Sequence, residues 1–204
     1  MNHDEKGYIQ FECDWEDAES PPVPAAILTW RERLFRLGLI GVYPDGIGFG
    51  NVSTRFSGPL PVPRAPRFLI SGTATGSLPL LAPEHFAEVA DFNLARNWLK
   101  CRGKVKASSE SLSHAAVYTS APATWAVIHV HHLKLWERDR GRLPTTDPAA
   151  EAGTPAMALA IQRLLENEAV RQCGVFVMGG HREGLMAFGE SIEEAGERLL
   201  KLLV

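Results

Sequence analysis

An apolar strand that ends in two histidines constrains the fold of this chain more than any other feature. The run from Trp125 to His131 reads Trp-Ala-Val-Ile-His-Val-His, and its apolar content predicts a buried β-strand. Successive side chains of a strand point to opposite faces, so His129 and His131 project from the same side. Imidazoles buried at the end of an apolar strand are costly unless a partner satisfies them. The fold must therefore bring another group to this position.

A third histidine, His181, follows Gly179-Gly180 in a distant segment and can complete a face of three imidazole nitrogens. Three protein ligands with one open position are typical of a catalytic metal centre rather than a structural one. Glu110 is the candidate acid/base, because a carboxylate beside such a centre can move protons. The pattern favours a metal-dependent enzyme.

Each of these residues also has an ordinary structural interpretation. His129 and His131 can be a hydrogen-bonded core pair, because two histidines at this spacing are a weak motif by themselves. Glu110 can simply stabilise the first turn of a helix through the helix dipole. Spacing alone leaves both interpretations open.

Three further segments carry groups suited to an anion. Ser108 and Ser109 are predicted caps at the start of a helix, where hydroxyls and free backbone N–H groups suit a phosphate or a carboxylate. Asn51, in Gly50-Asn51-Val52-Ser53, and the Thr75-Gly76 pair offer similar groups from loops. Each segment is weak alone, and they form a site only if the fold gathers them.

Composition excludes several classes of function. A net charge of −3 on 204 residues provides no basic surface, so we expect neither DNA nor RNA as a partner. No apolar run approaches the ~18 residues that a membrane span requires, so we expect no membrane partner. Three cysteines without a CxxC pair indicate a reducing compartment, and we expect a cytoplasmic protein.

Length and periodicity predict one mixed α/β domain of three layers, preceded by an arm. Residues 1–22 show little periodicity and are expected to form a flexible N-terminal arm, with a single domain over 23–204. Prolines between 59 and 66 predict a loop. Helical spacing occurs over 25–39, 83–99, 109–119, 155–168 and 191–203, and strands are predicted over 68–70, 125–131, 175–178 and 184–188.

Four motifs, taken together, resemble those of the class II aldolase/adducin family and occur in the same order. The resemblance covers the chain from about Ala25 to the C-terminus and implies an α-β-α fold with a central, mostly antiparallel sheet flanked by helices. The motifs are Gly50-Asn51-Val52-Ser53, Ser71-Gly72-Thr73-Ala74-Thr75-Gly76, Ser108-Ser109-Glu110 and His129-Val130-His131.

The same resemblance implies roles for individual residues. His129, His131 and His181 would bind a divalent transition metal, usually zinc, and Glu110 would be the acid/base. The family's aldolases and epimerases are tetramers, so we expect a homotetramer. The residues that would line a phosphate pocket are Asn51, Thr75, Gly76, Ser108 and Ser109.

Two segments depart from the family pattern. Many members have a His-His-Gly turn at the third ligand, where this chain reads Gly179-Gly180-His181-Arg182-Glu183-Gly184. Family aldolases also use tyrosines in the middle and at the far C-terminus, whereas the only tyrosines here are Tyr8, Tyr43 and Tyr118.

The resemblance implies a metal-dependent aldolase, a carbon–carbon lyase that acts on a small sugar or sugar phosphate through a metal-stabilised enediolate. The same metal site also suits a dehydratase or an epimerase, depending on which bond is aligned. A non-catalytic assembly domain, as in adducins, is the third alternative. Retention of three histidines and Glu110 argues against it, because a scaffold has no need of them.

Overall fold

The structure, a computed structural model, describes residues 11–56 and 66–204. All but the last residue of the loop predicted over 59–66 lies outside these ranges. The strands are β1 (Glu12–Glu16), β2 (Gly41–Val42), β3 (Gly48–Phe49), β4 (Asn51–Arg55), β5 (Phe68–Ser71), β6 (Phe86–Asn93), β7 (Trp98–Arg102), β8 (Ala126–His131), β9 (Val175–Val177) and β10 (Gly184–Gly189). The α-helices are α1 (Ala25–Arg36), α2 (Ser111–Ser120), α3 (Leu133–Asp139), α4 (Pro155–Leu164), α5 (Glu168–Cys173) and α6 (Ile192–Leu200).

Among the described residues, eight strands form one sheet in the order β1-β7-β6-β5-β4-β8-β10-β9. Neighbouring strands pair antiparallel except at one edge, where β1 runs parallel to β7. The short strands β2 and β3 form a separate antiparallel ribbon. The predicted central, mostly antiparallel sheet is confirmed.

Helices cover both faces of this sheet, and the strands contribute apolar side chains to a separate core on each face. On β10, Met186 and Phe188 belong to the core that includes α2 and α4. Leu185 and Ala187 belong to the core that includes α1 and α6. Alternation of period two therefore buries both faces of a central strand, and the layers are helix, sheet and helix as predicted.

The N-terminal segment requires a correction, because part of the predicted arm belongs to the sheet. Strand β1 pairs with β7 from Glu12 opposite Trp98 to Glu16 opposite Arg102. Acidic side chains of this segment face cations near β7: Arg102 lies 3.2 Å from Glu16, and Lys104 lies 2.9 Å from Asp17. An edge strand held by backbone pairing and surface charge leaves no local apolar pattern, so periodicity could not indicate it.

The segment 83–99, which shows helical spacing, forms a strand hairpin instead. Strands β6 and β7 pair antiparallel from Glu88 opposite Arg102 to Asn93 opposite Trp98. The first four residues of β6 are all buried. A strand buried on both faces loses the alternation that distinguishes it from a helix, which explains the wrong prediction.

The remaining helices agree with the predictions, with two differences. The helix predicted over 155–168 ends at Leu164, and a new helix, α5, begins after Asn167, whose side chain caps it. Helix α3 was not predicted; it begins after His132, which accepts a hydrogen bond from the Leu135 backbone N–H at 3.2 Å. Within residues 11–56 and 66–204, no helix combines the length and apolar character needed to cross a bilayer.

Candidate active site

One cavity of about 980 Å³ gathers every residue that the sequence singles out for the site. Its wall includes the start of β4, the end of β8 and the N-terminus of α2, where Asn51, His131 and Glu110 lie. Segments far apart in the sequence therefore converge on one cavity. The residues are Asn51, Thr75, Gly76, Ser108, Ser109, Glu110, His129, His131 and His181.

Strand β8 presents His129 and His131 on one side, because the residues between and before them, Val130 and Ile128, pack into the opposite core. His181 reaches the pair from the turn between β9 and β10, and its Nε2 lies 2.9 Å from Nε2 of His131. One nitrogen from each of the three rings lies within 4.8 Å of the others. The fold thus brings the three predicted ligands into one cluster.

The turn before His181 needs its glycines for close packing rather than for flexibility. A Cβ on Gly179 would lie 2.2 Å from the Thr146 carbonyl oxygen, and one on Gly180 would lie 1.9 Å from that of Ala150. Any side chain there would push the turn away from the backbone beneath it. Direct backbone contact therefore sets the position of His181.

The histidine cluster has the properties that a divalent metal requires. His129 is 1% exposed, and its Nε2 has no hydrogen-bond partner among the described residues. Burial lowers the pKa of His129, and it lowers the pKa of His131 to about 3, with neighbouring imidazoles as a smaller cause. Both rings are neutral at neutral pH, so their lone pairs suit a borderline metal such as zinc. A bound cation would also satisfy the unpartnered nitrogen.

Glu110 lies in the cavity wall at the N-cap position of α2, but its side chain does not cap the helix. The prediction that Ser108 or Ser109 caps this helix is wrong, because the N-cap residue is Glu110. The Glu110 side chain is 5% exposed, and its Oε2 accepts a hydrogen bond from Ser113 Oγ at 2.7 Å. A carboxylate held at a cavity wall, rather than solvated on a helix end, suits proton transfer.

The hydroxyl groups predicted to bind an anion differ in whether their proton is available to donate a hydrogen bond. Ser108 Oγ accepts hydrogen bonds from Asn51 Nδ2 at 3.0 Å and from the Glu110 backbone N–H at 3.4 Å. No group among the described residues accepts the Ser108 proton, so this proton can be donated to an anion. Thr75 Oγ1 instead donates its only proton to the Gly72 carbonyl at 2.8 Å, so this hydroxyl shapes the loop.

Three residues beside the cluster were not predicted as site residues: Tyr43, Phe49 and Glu183. Tyr43 Oη lies 2.8 Å from His131 Nδ1 and donates to Glu183 Oε2 at 2.7 Å. Burial and the hydrogen bond to Glu183 raise the pKa of Tyr43, so its phenol stays protonated. The Phe49 ring stacks on His131 with centroids 5.4 Å apart. No local motif marks these residues; only their proximity to a glycine-rich turn and to His181 hints at a role.

Arg31 was also not predicted, because in α1 it reads as one of several charged residues on a helix face. In the structure the Arg31 residue is only 1% exposed and lies behind the loop that contains Thr75 and Gly76. Its guanidinium donates to the carbonyls of Thr75 at 2.9 Å, Gly76 at 3.4 Å, Pro79 at 3.0 Å and Leu78. Arg31 therefore holds the backbone of that loop in place.

Comparison with known families identifies the chain. The model of the Class II Aldolase and Adducin N-terminal domain matches residues 44–202, more than half of the sequence. The chain belongs to this family. The matched region contains the three histidines, Glu110 and the predicted anion groups, and the resemblance of the motifs is confirmed. No curated protein matches the chain.

Solved structures share the fold of this family member at low identity. YgbL from Escherichia coli, described provisionally as an aldolase, epimerase or decarboxylase, is 19% identical with a TM-score of 0.61 over 87% of this chain and 83% of that one. L-fuculose-1-phosphate aldolase from Thermus thermophilus is 23% identical with a TM-score of 0.55, covering 86% and 83%. A sugar-phosphate aldolase from Thermotoga maritima is 17% identical with a TM-score of 0.62, covering 87% and 88%. These likenesses establish the fold.

Proposed function

We propose that this family member is a metal-dependent aldolase, a carbon–carbon lyase that acts on a small sugar or sugar phosphate. The supporting observation is that three imidazoles, a buried carboxylate and the residues predicted to bind an anion converge on one cavity. In this proposal His129, His131 and His181 hold a divalent metal, with zinc as the first candidate. A metal bound there would act as a Lewis acid and would withdraw electrons from a substrate carbonyl.

Glu110 is the acid/base in this proposal. In the cleavage direction its carboxylate accepts the proton of the hydroxyl whose carbon becomes the aldehyde, as the adjacent carbon–carbon bond breaks. The same carboxyl then returns a proton to the carbon of the other fragment, so the reaction balances with a single residue. Ser113 holds the carboxylate by its 2.7 Å hydrogen bond and thereby limits its orientation.

The anion groups position the substrate. Ser108 and Ser109 precede α2, where the positive end of the helix dipole favours a phosphate. Ser108, Thr75 and Gly76 line the same cavity. Holding a phosphate here keeps the reacting carbons near the histidines, which converts binding energy into orientation.

The experiment measures metal content and cleavage together, in the wild type and in three variants. His131→Ala is expected to lose bound metal and activity. Glu110→Gln is expected to keep the metal and lose about 10²–10⁴-fold in kcat, the usual contribution of a general acid/base. His132→Asn is the matched control, because asparagine still caps α3 and His132 is not in the cavity wall.

A panel of ketose phosphates and the corresponding free sugars serves as substrate, with carbonyl products quantified by mass spectrometry. Release of two carbonyl fragments supports the lyase; a product of unchanged mass indicates an epimerase, and loss of water indicates a dehydratase. A wild type that takes up no added zinc and cleaves nothing would overturn the proposal in favour of an assembly domain.

Zinc, the homotetramer and the cytoplasmic location are part of the same proposal. The first two derive from the resemblance of the motifs, and the last from the cysteine pattern. Elemental analysis of purified protein identifies the metal, and light scattering measures the number of subunits.

A further inference from the structure

A chain of hydrogen bonds runs outward from His131 on the side away from the cluster. His131 Nδ1 lies 2.8 Å from Tyr43 Oη, and Tyr43 Oη lies 2.7 Å from Glu183 Oε2. The other nitrogen of the ring, Nε2, lies 2.9 Å from His181 Nε2 inside the cluster. His131 therefore contacts the candidate metal centre with one nitrogen and Tyr43 with the other.

The donor and acceptor capacities of these groups set the direction of each hydrogen bond between His131, Tyr43 and Glu183. An ionised carboxylate only accepts, so Tyr43 must give its single proton to Glu183. The Tyr43 oxygen can then only accept from His131, which requires the proton of that ring to sit on Nδ1. Nε2 is left with its lone pair directed at His181 and the cluster.

We propose that Tyr43 and Glu183 are positioning residues that hold His131 in the tautomer and orientation required to bind a metal. The inference rests on the proposed metal centre and extends it to two residues outside the ligand set. A carboxylate that acts through a second group on a ligating histidine also makes the ligand nitrogen more basic. Tyr43 lines the cavity, but in this arrangement it donates its single proton to Glu183 and is not a proton donor to substrate.

The backbone of Glu183 supports a dedicated role. Glu183 has φ +70°, a left-handed conformation that is strained for a residue with a side chain. The turn keeps this conformation through the Glu183 carbonyl, which accepts from the His132 N–H at 2.9 Å. Glycine would adopt it without strain. A glutamate in this position is explained by what its carboxylate does, which is to accept from Tyr43.

Packing and a backbone hydrogen bond hold the Tyr43 side chain in position. The Tyr43 and Phe49 rings lie 4.5 Å apart between centroids, and Phe49 stacks on His131. Tyr43 N–H also donates to the Ile47 carbonyl at 2.8 Å, which closes the turn between β2 and β3. These contacts fix the position of the Tyr43 phenol independently of its hydrogen bond to His131.

The test compares zinc affinity, by chelator competition, in wild type, Tyr43→Phe and Glu183→Gln. Tyr43→Phe is expected to weaken zinc binding about 10–100-fold, the usual loss for such partners. Glu183→Gln keeps an acceptor but removes the charge, so a smaller loss is expected. The double variant should be no weaker than Tyr43→Phe alone, because Glu183 acts through Tyr43.

Two further variants separate positioning from stability. Glu183→Gly removes the carboxylate and relieves the left-handed strain, so zinc affinity should fall while the thermal midpoint does not. Tyr118→Phe is the matched control, since it deletes a buried tyrosine hydroxyl that contacts Ser53 in the core rather than the cavity. It should lower stability and leave zinc affinity unchanged.

A readout without metal completes the test. In protein with ¹⁵N-labelled histidine, the signal removed by His131→Ala should report a protonated Nδ1, and Tyr43→Phe should abolish that preference. A wild type that takes up no zinc and cleaves nothing overturns the proposed function, but the tautomer of His131 still tests the contact with Tyr43 and Glu183. Equal zinc affinity in wild type and Tyr43→Phe, or an Nε2-protonated His131 in metal-free wild type, overturns the inference.

Discussion

Replacing Arg31 with methionine removes a buried cation that holds four backbone carbonyls, and we expect the variant to lose about 1–3 kcal/mol of unfolding free energy. Thr75 and Gly76 are buried, so water cannot replace Arg31 at their carbonyls; the Gly76 carbonyl would lose its partner, and the Thr75 carbonyl would keep the Leu78 N–H alone. The unpartnered Gly76 carbonyl costs about 1–3 kcal/mol, and the lost hydrogen bond to a charged group at Thr75 costs about 1.5–3 kcal/mol, so the two losses together cost about 2.5–6 kcal/mol. Pro79 is exposed, and water replaces Arg31 there.

The gain on removing the charge offsets about half of that cost. Burial lowers the pKa of Arg31 to about 10, which means that the fold disfavours the charged form. Because the folded pKa lies below the unfolded one, any stability gained by deprotonation appears only as the pH rises through about 10. At neutral pH Arg31 is protonated in both states, so the difference between wild type and Arg31→Met should not change between pH 6 and pH 9.

The assay is urea unfolding combined with hydrogen exchange of the loop. Arg31→Met should accelerate exchange over 73–78, where Thr73 N–H donates to Lys106 and Leu78 N–H donates to Thr75. Arg36→Met is the matched control on the same helix, because its side chain is 76% exposed and changes there are worth under about 0.5 kcal/mol. A loss below about 0.5 kcal/mol in Arg31→Met, or unchanged exchange in the loop, would refute the reasoning.

Two further predictions follow from buried contacts. Burial lowers the pKa of His114 to about 3, so this ring is neutral in the fold and charged in the unfolded chain below about pH 6.5. Its contribution to stability is full above that pH and is lost as the pH falls toward 3. Urea unfolding from pH 4 to 8 should show a shallower loss in His114→Gln, by about 1.4 kcal/mol per pH unit in the acid range; parallel curves would contradict it. A Cβ on Gly76 would lie 2.2 Å from the Gly41 carbonyl, whereas one on Gly48 meets nothing closer than 3.6 Å. Gly76→Ala should therefore lose about 1–3 kcal/mol and Gly48→Ala almost none, with equal losses excluding a steric cause.

The elements that could be predicted are those whose burial follows a short period. In β8 the apolar run and the i, i+2 histidines both follow from the geometry of a strand, and the structure places them as expected. The same holds for α1 and α6, each with an apolar stripe against the sheet. Local pattern is therefore sufficient for a helix with one buried face and for a short, mostly apolar strand such as β8.

Other elements depend on contacts that no local pattern contains. Strand β1 is an exposed edge whose partner lies more than 80 residues away, and β6 begins with both faces buried. Neither situation produces an alternation of apolar and polar residues. Their identity is decided by which segment pairs with them, and a single sequence carries no direct record of pairing.

In the candidate site, too, some residues could be predicted from the sequence and others could not, and the difference has a physical cause. His129 and His131 stand together because one strand carries both, so a motif could mark them. Tyr43 and Glu183 come from segments 140 positions apart and meet only when the β2–β3 ribbon and the turn after β9 both reach His131. A side chain that contacts another side chain across the fold needs no fixed spacing from it. Ligands can therefore be predicted from a motif, whereas the groups that orient them become visible only when the distances are known.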